Sequence, residues 1–412
     1  MAPPRIIPAL ADLTQDMAGP VPVSLLYAWA ADEQDDTRAT TLLDPYRIAG
    51  TVVSSDTSGL SRLTKERDLL DVLSLISEPK QILHAIGVEI GGRPVGTWVA
   101  DNTQVYYPPS IAPSEIVCAM TEAEHRITCE LPVGVGMCVH HGAFYELGGG
   151  LYGPDAHLVE SIAEHHAGPG EILVTTPVRD GCPEGFQFRP RHDLDGHGAG
   201  AVFSLSHAPG MRHLEAANRR YPHPWPAPFF DRLLELKSSP EQERLRQEIY
   251  DTYLKRLVVV FVSRDRERRA APTPTALLDD LIANVLFDAL ITGLDLARGH
   301  VAGLGGGLGI LTFDGAPDAL EAADALRRRF AANSLAIKVG MASGAVLYFS
   351  NPRGPSGIAG NPVNIASKIS EDAGLAGRIN IASDVAAQLP PQAGAAPFEI
   401  TIGGVVLHGI TV

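Results

Sequence analysis

The chain has 412 residues, with 33 Lys+Arg against 48 Asp+Glu and a formal net charge of −15. Its 45% apolar and 20% charged residues are a globular composition, long enough for two domains with separate cores. An acidic surface disfavours duplex nucleic acid or an anionic membrane as partner, because both select basic faces, yet it leaves room for a small phosphorylated ligand held through a local cation. The four cysteines (Cys118, Cys129, Cys138, Cys182) form no CxxC pair and no disulfide framework, so free thiols in a reducing compartment are expected. The start lacks the basic-then-apolar order of a signal peptide, and no apolar run reaches membrane length. A soluble, cytoplasmic protein is the expectation.

Residues 1–45 read as an N-terminal arm, Pro- and Asp-rich around one short apolar run. A strand is expected at Ile48–Val53, then a helix over Ser61 to Ile86. Gly91 to Asn102 reads as a β-hairpin with Asp101 at its tip. Val133 to His140 and Glu171 to Thr175 read as buried strands, with a helix near Ala156 to His166 between them. Arg179 to Pro228 is dense in Pro, Gly and His and reads as irregular. Phe229 to Leu257 is charged and helix-favouring, a connector broken at Ser238-Ser239-Pro240. Leu257-Val-Val-Val-Phe-Val262 is the most strand-like run in the chain.

From there the order recurs: a helix over Thr275 to Arg298, a tight Gly-rich hairpin around Gly305-Gly306-Gly307, a helix over Pro317 to Ala331, then strands at Leu335 to Met341 and Arg378 to Ala382. Gly136-Met137 matches Gly340-Met341 at an offset of 204, while Gly153/Gly360 and Gly170/Gly377 match at 207. A near-constant offset is a tandem duplication with length changes in loops. The element order is that of ferredoxin-like α+β sandwiches. The expected organisation is arm 1–45, first domain 46–205, connector 206–254 and second domain 255–412, the two domains forming an intramolecular pseudo-heterodimer with a ligand cleft between them.

In the first copy, Val52-Val53-Ser54-Ser55-Asp56-Thr57-Ser58-Gly59-Leu60-Ser61 ends a buried strand on Asp56 and turns through Gly59. Backbone N–H groups at such a turn can hold phosphate oxygens while the carboxylate holds a cation. Asp101 is a second acid that can converge with Asp56 if the two strands are neighbours.

These stretches resemble the class III adenylate/guanylate cyclases. That family's first motif ends a strand on Asp and runs through a Gly to Phe-Thr/Ser, and its second is Lys-x-x-Gly-Asp on a hairpin. Here Ala100 stands for the Gly and Thr97 for the Lys. Tyr152-Gly153-Pro154-Asp155-Ala156-His157 and Ala167-Gly-Pro-Gly-Glu-Ile-Leu-Val174 are similar to its Gly-Asp-Ala-Val-Asn…Arg…Pro-Gly-Glu-Ile block, with His157 on the Asn and Ser161 on the Arg. By this resemblance the first copy keeps the metal half, with Asp56 and Asp101 as ligands of Mg²⁺ or Mn²⁺ and Thr57, Ser58, Gly59, Leu60 and Ser61 along the nucleotide's phosphates, and lacks the transition-state pair.

The second copy shows the reverse. An offset of 207 puts Ser263 opposite Asp56, with Arg264 and Asp265 close by, while Gly307 takes the second acid's place and Gly303 the base-reading Lys position. Yet Gly360-Asn361-Pro362-Val363-Asn364-Ile365-Ala366-Ser367-Lys368 keeps the Asn as Asn364, and Lys368 stands where the family has Arg. Spacing of four puts both on one helix face. The resemblance implies that Asn364 orients the ribose and Lys368 neutralises charge on the α-phosphate. Asn361 takes the place of a base-reading Asp, and His408, in Leu407-His408-Gly409-Ile410, that of a triphosphate-contacting Lys.

Complementary loss is what a one-site pseudo-heterodimer needs. The implied reaction turns a nucleoside triphosphate into a 3′,5′-cyclic nucleotide and pyrophosphate with divalent metal, in a monomer. Neither Gly303 nor Asn361 offers a charged reader, so ATP specificity is not implied. A nucleotide-binding pseudocyclase without turnover, or another nucleotide phosphoryl reaction on the same metal site, are the alternatives. His192-Asp193-Leu194-Asp195-Gly196-His197 has no recognised ligand spacing and reads as a surface loop, and the His140-His141 and His165-His166 pairs as structural or solvated.

Overall fold

A computed structural model describes residues 15–31, 33–58, 67–99, 102–195, 200–210, 220–265, 273–296, 298–351, 356–402 and 405–412. In the first copy the elements are β1 (Arg47–Ser58), α1 (Leu69–Glu89), β2 (Arg93–Pro94), β3 (Thr103–Tyr107), α2 (Pro113–Glu130), β4 (Gly134–Leu147), β5 (Gly150–Tyr152), α3 (Pro154–His165), β6 (Ile172–Thr175), α4 (Thr176–Asp180), β7 (Gln187–Pro190) and β8 (Val202–His207). In the second they are β9 (Leu254–Arg264), α5 (Pro274–Thr292), β10 (Gly299–Gly305), β11 (Leu308–Phe313), α6 (Ala316–Ala332), β12 (Ile337–Phe349), β13 (Gly357–Ala359), α7 (Asn361–Glu371), β14 (Ile379–Ala382), α8 (Ser383–Ala386), β15 (Ala396–Ile402) and β16 (Val405–Thr411).

Each copy builds an 8-stranded sheet. The first has the order β2-β3-β1-β4-β6-β8-β7 with β5 against β4, and the second the order β10-β11-β9-β12-β14-β16-β15 with β13 against β12. Adding eight to each strand number converts one order into the other. The duplication is therefore a duplication of topology, and both copies are α+β sandwiches.

The central strands β1 and β9 are buried on both faces, which is why Val52-Val53 and Leu257–Val262 are continuous apolar runs rather than alternating ones. In the second copy Val258, Val260 and Val262 face α5 and α6, through Phe287, Leu326 and Phe330. Leu257, Val259 and Phe261 face α7, through Ala366 and Ile369. In the first copy Val52 and Cys138 face α3, through Val159 and Ile162.

Two compact units emerge. One contains residues 34–224 and 270–277; the other contains residues 1–33, 225–269 and 278–412. Within the second, the arm helix Val23–Ala30 buries Val23, Leu25, Leu26 and Trp29, and the Trp29 indole N–H donates to Asp279 on α5 at 3.4 Å. The connector is two helices, Ala227–Ser238 and Gln242–Tyr253, broken where Ser239-Pro240 stand. Phe229 and Tyr253 from these helices close on Phe349 of β12, at ring separations of 4.6 and 5.2 Å.

Three expectations need correction. The section 179–228 is not irregular throughout: it contains β7 and β8, whose short, half-exposed strands carry too few apolar residues to stand out. The expected hairpin is shorter than 91–102: Arg93 and Pro94 pair with Tyr106 and Val105, the Val95 N–H donates to the Gln104 carbonyl at 2.9 Å, and 96–99 hold no strand, while the expected tip at Asp101 lies outside the described residues. The helix expected from Ser61 begins at Leu69, capped by the Asp68 carboxylate on the Leu70 N–H, and residues 59–66 lie outside the described residues. Among the described residues, no helix is long and apolar enough to cross a membrane.

Candidate active site

Register decides which residues of the two copies correspond. Asp56 of β1 lies opposite Gly136 of β4, and Ser263 of β9 lies opposite Lys338 of β12. The partner strands are aligned in turn by one repeated bond: Gly170 donates to the carbonyl of Val135, and Gly377 to that of Ile337. Those carbonyls immediately precede Gly136 and Lys338, so Ser263 holds the position of Asp56.

The same bonds correct the glycine match. Gly136 corresponds to Lys338, at an offset of 338 − 136 = 202, and not to Gly340. A second pair agrees. A Cβ on Gly142 would lie 2.2 Å from Asp155 Oδ2, and one on Gly344 would lie 3.0 Å from Pro362 Cγ. Asp155 and Pro362 are each the second residue of their helices, α3 and α7. The turn Gly148-Gly149 between β4 and β5 has seven residues, 350–356, as its counterpart, which restores the offset to 207 for α3 and α7.

Asp56 is half-exposed at the end of β1. Its neighbour Gly136 cannot carry a side chain, because a Cβ would come within 2.4 Å of the Ala167 carbonyl oxygen. One flank of Asp56 is therefore bare backbone. Thr57 is buried and Ser58 half-buried, while Gly59, Leu60, Ser61 and Asp101 lie outside the described residues. The strand leading away from Asp101 is fixed, since Ser55 pairs with Thr103 and their hydroxyls share a hydrogen bond at 2.6 Å.

Among the described residues, no three His, Cys, Asp or Glu side chains gather into a metal cage.

At the equivalent place in the second copy, Ser263 is buried and its hydroxyl shares a hydrogen bond at 2.9 Å with Ser370 of α7. Lys338, standing where Gly136 does, puts its ammonium 3.3 Å from Asp265 Oδ1. Arg264, standing where Thr57 does, donates to Asn284 Oδ1 at 3.1 Å and to Asp280. Two cations thus occupy the surroundings of the missing carboxylate. Each is paired with a carboxylate of its own copy, Lys338 with Asp265 and Arg264 with Asp280.

α7 starts on Gly360 at φ +150 and α3 on Gly153 at φ +108, a conformation in which other residues are strained. Asn361, Asn364 and Lys368 are exposed on α7 at i, i+3 and i+7, one continuous face. The Lys368 ammonium is 3.8 Å from Asp372 Oδ2, an exposed i,i+4 pair that a stronger anion could displace. At the matching positions of α3 stand His157 and Ser161. Asp56 belongs to one unit, Asn364 and Lys368 to the other.

Gly303 lies at a register shift in β10 opposite Ile310, and a Cβ there would lie 3.3 Å from Ile310 Cδ1, so the position is apolar space. His408 lies on β16 opposite Glu399 of β15, with Nδ1 3.3 Å from Oε2. It is exposed.

Lys80 went unnoticed in the sequence, where a helical lysine reads as solvated. It is 2% exposed on α1 and donates to the carbonyls of Trp98 at 3.2 Å and Val99 at 3.4 Å. Trp98 also stacks on Tyr221 and donates its indole N–H to the carbonyl of Gln104. The stretch just before Ala100-Asp101 is thereby fastened to α1, β3 and residue 221. No periodicity signals this, because the acceptors are backbone atoms of an irregular segment.

Of the histidine pairs, His140 is buried, with Nδ1 2.8 Å from Thr175 Oγ1 and Nε2 3.4 Å from Asp155 Oδ1. Burial pushes the Asp155 carboxyl up, but His140, the Ala143 N–H and Arg47 together outweigh it and hold the group below its usual value. His192 pairs with Asp195 on the surface at 3.3 Å.

No family model and no curated protein matches the sequence. Solved structures of class III cyclases and cyclase-like proteins do show likeness. A class III adenylyl cyclase-like ATP-binding protein from Pseudomonas aeruginosa is 12% identical, covering 82% of this chain and 84% of that one at a TM-score of 0.48. The adenylyl cyclase CyaB from P. aeruginosa is 14% identical over 40% of this chain and 97% of its own, at a TM-score of 0.36. The guanylyl cyclase Cya2 is 14% identical over 42% and 98%, at 0.33. At these identities every residue assignment rests on the register described above.

Proposed function

We propose that this protein is a divergent nucleotidyl cyclase, in which Asp56 and Asp101 from the first copy work with Asn364 and Lys368 from the second on one nucleoside triphosphate. The carrying observation is reciprocal replacement at matched positions. Ser263, flanked by Lys338 and Arg264, stands for Asp56; His157 and Ser161 stand for Asn364 and Lys368. Neither copy has a full set, and together they have one.

Mg²⁺ or Mn²⁺ bound by the two carboxylates would supply charge to the triphosphate and acidity to the ribose 3′-hydroxyl. Asn364 would hold the ribose by its amide, and Lys368 would neutralise charge gathering on the α-phosphate. Lysine supplies a point charge where arginine would supply a fork, which lowers the rate without abolishing the chemistry. With Gly303 opening space and Asn361 as the remaining polar reader, the base is not fixed as adenine.

Incubating the protein with each of the four NTPs and Mg²⁺ or Mn²⁺, and resolving products by mass, tests the reading. A 3′,5′-cyclic nucleotide plus pyrophosphate supports it. Unchanged NTP with measurable binding identifies a pseudocyclase, and any other product a different phosphoryl or nucleotidyl reaction.

A further inference from the structure

The N-terminal hairpin sits on an uncompensated carboxylate. Met17–Ala18 and Val21–Pro22 pair across a turn at Gly19, whose φ is +58, and a Cβ at Gly19 would lie 3.8 Å from Asp288 Oδ2 on α5. Asp288 Oδ1 is buried and has no hydrogen-bond partner. The hairpin, in which Val21 is fully buried, runs directly into the arm helix, where Trp29 is 1% exposed.

Charged groups on the surrounding elements are otherwise engaged or distant in effect. On α5, Asp279 accepts from Trp29 and Asp280 from Arg264. On α6, Arg329 donates to the carbonyl of Gly293 at 2.8 Å. Among the described residues, the docked segment 17–31 carries no Asp, Glu, Lys or Arg and is flanked by Asp16 and Glu33. None of these moves Asp288, since burial alone pushes its carboxyl up, from 3.8 to about 6.

We propose that docking of residues 17–31 onto α5 is a proton-controlled contact, closed more tightly when Asp288 is neutral and loosened when it ionises beneath the Gly19 turn. The device is independent of the cyclase reading. The sign follows from linkage: a carboxyl whose value is raised on docking binds more protons docked than free, so docking weakens as pH rises through the window from 3.8 to about 6. Between pH 5 and 7 the docking equilibrium should fall about tenfold.

Hydrogen exchange of the full chain at pH 5, 6 and 7, corrected for intrinsic rates, reads this directly. Protection of amides in Val21–Ala30 is expected to fall about tenfold over that range, with α6 unchanged. In Asp288→Asn it should stay flat at the high level, with α6 protection confirming the fold; Asp288→Ser serves if the asparagine variant does not fold. A flat profile in the native chain, the same fall in either variant, or a parallel fall in α6 would each overturn the proposal.

Discussion

Asp56 and Ser263 occupy one and the same position of a duplicated strand, each two residues before its end or next to it, and each facing across to the partner strand that follows its second helix. Opposite Asp56 stands Gly136, whereas opposite Ser263 stands Lys338. A single aligned pair therefore separates a carboxylate beside bare backbone from a hydroxyl beside a lysine.

The first prediction contrasts acids in the two copies. Asp56→Ala should lower turnover by at least about 100-fold and abolish Mn²⁺ binding, because loss of one metal carboxylate removes several kcal/mol of charge stabilisation. Asp265→Ala should leave turnover within about twofold, since that carboxylate is spent on Lys338. Steady-state kinetics with Mn²⁺ titration decides the matter, and equal losses in the two variants would reverse the assignment of the copies.

Restoring the missing acid should fail. In Ser263→Asp the new carboxylate faces Lys338 across the strand pair and gains an ion pair instead of a metal. Mn²⁺ stoichiometry by calorimetry is expected to be unchanged from the parent protein. Appearance of an additional set of sites would show that the ammonium does not block the position.

The duplication was legible because glycines mark it: Gly153 and Gly360 cap equivalent helices at positive φ, a backbone requirement that survives divergence. The Gly136/Gly340 match misled for the converse reason. Gly340 exists to let α7 approach, a Cβ there falling 2.0 Å from the Ala366 carbonyl oxygen, and it shares only residue type with Gly136. Lys338 at the true position has no glycine signature and could be found only from strand pairing. The same limit hid β7 and β8, whose edge-like composition is silent, and Lys80, whose partners are main-chain carbonyls.

Lys368 supplies the third prediction. Lys368→Ala should reduce kcat by about 10²–10³ with little change in KM, as expected of a charge that matters once the α-phosphate reacts. Lys368→Arg should raise kcat above the parent by restoring bidentate donors on the same helix face. A loss in KM alone for the alanine variant would mean that Lys368 only binds substrate.

Gly136 supplies the fourth. Gly136→Ala drives a methyl group to 2.4 Å from the Ala167 carbonyl oxygen, which is backbone and cannot swing away. The strand carrying Gly136 must shift against Asp56, so activity should fall together with a loss of about 1–3 kcal/mol in stability. Ser343→Ala, in the second copy's matching strand, should keep activity, since its hydroxyl serves only Asp384 and Gln388 on the surface. Denaturant melts paired with turnover assays check both.

The last concerns Asp155, whose Oδ2 accepts the Ala143 N–H at 2.8 Å inside the space that Gly142 leaves open. Asp155→Ala strands that N–H and removes the carboxylate beside buried His140, a change expected to cost about 1–3 kcal/mol near neutral pH. Because the folded carboxyl lies below its ordinary value of 3.8, the stability it contributes is complete above 3.8 and is lost as pH falls through the lower folded value. The difference between native and variant chains should accordingly be constant from pH 8 down to about 5 and shrink below about 4, as measured by urea midpoints across that range. A gap that closed already between pH 7 and 6 would mean that the Asp155 carboxylate does not hold the start of α3 to β4.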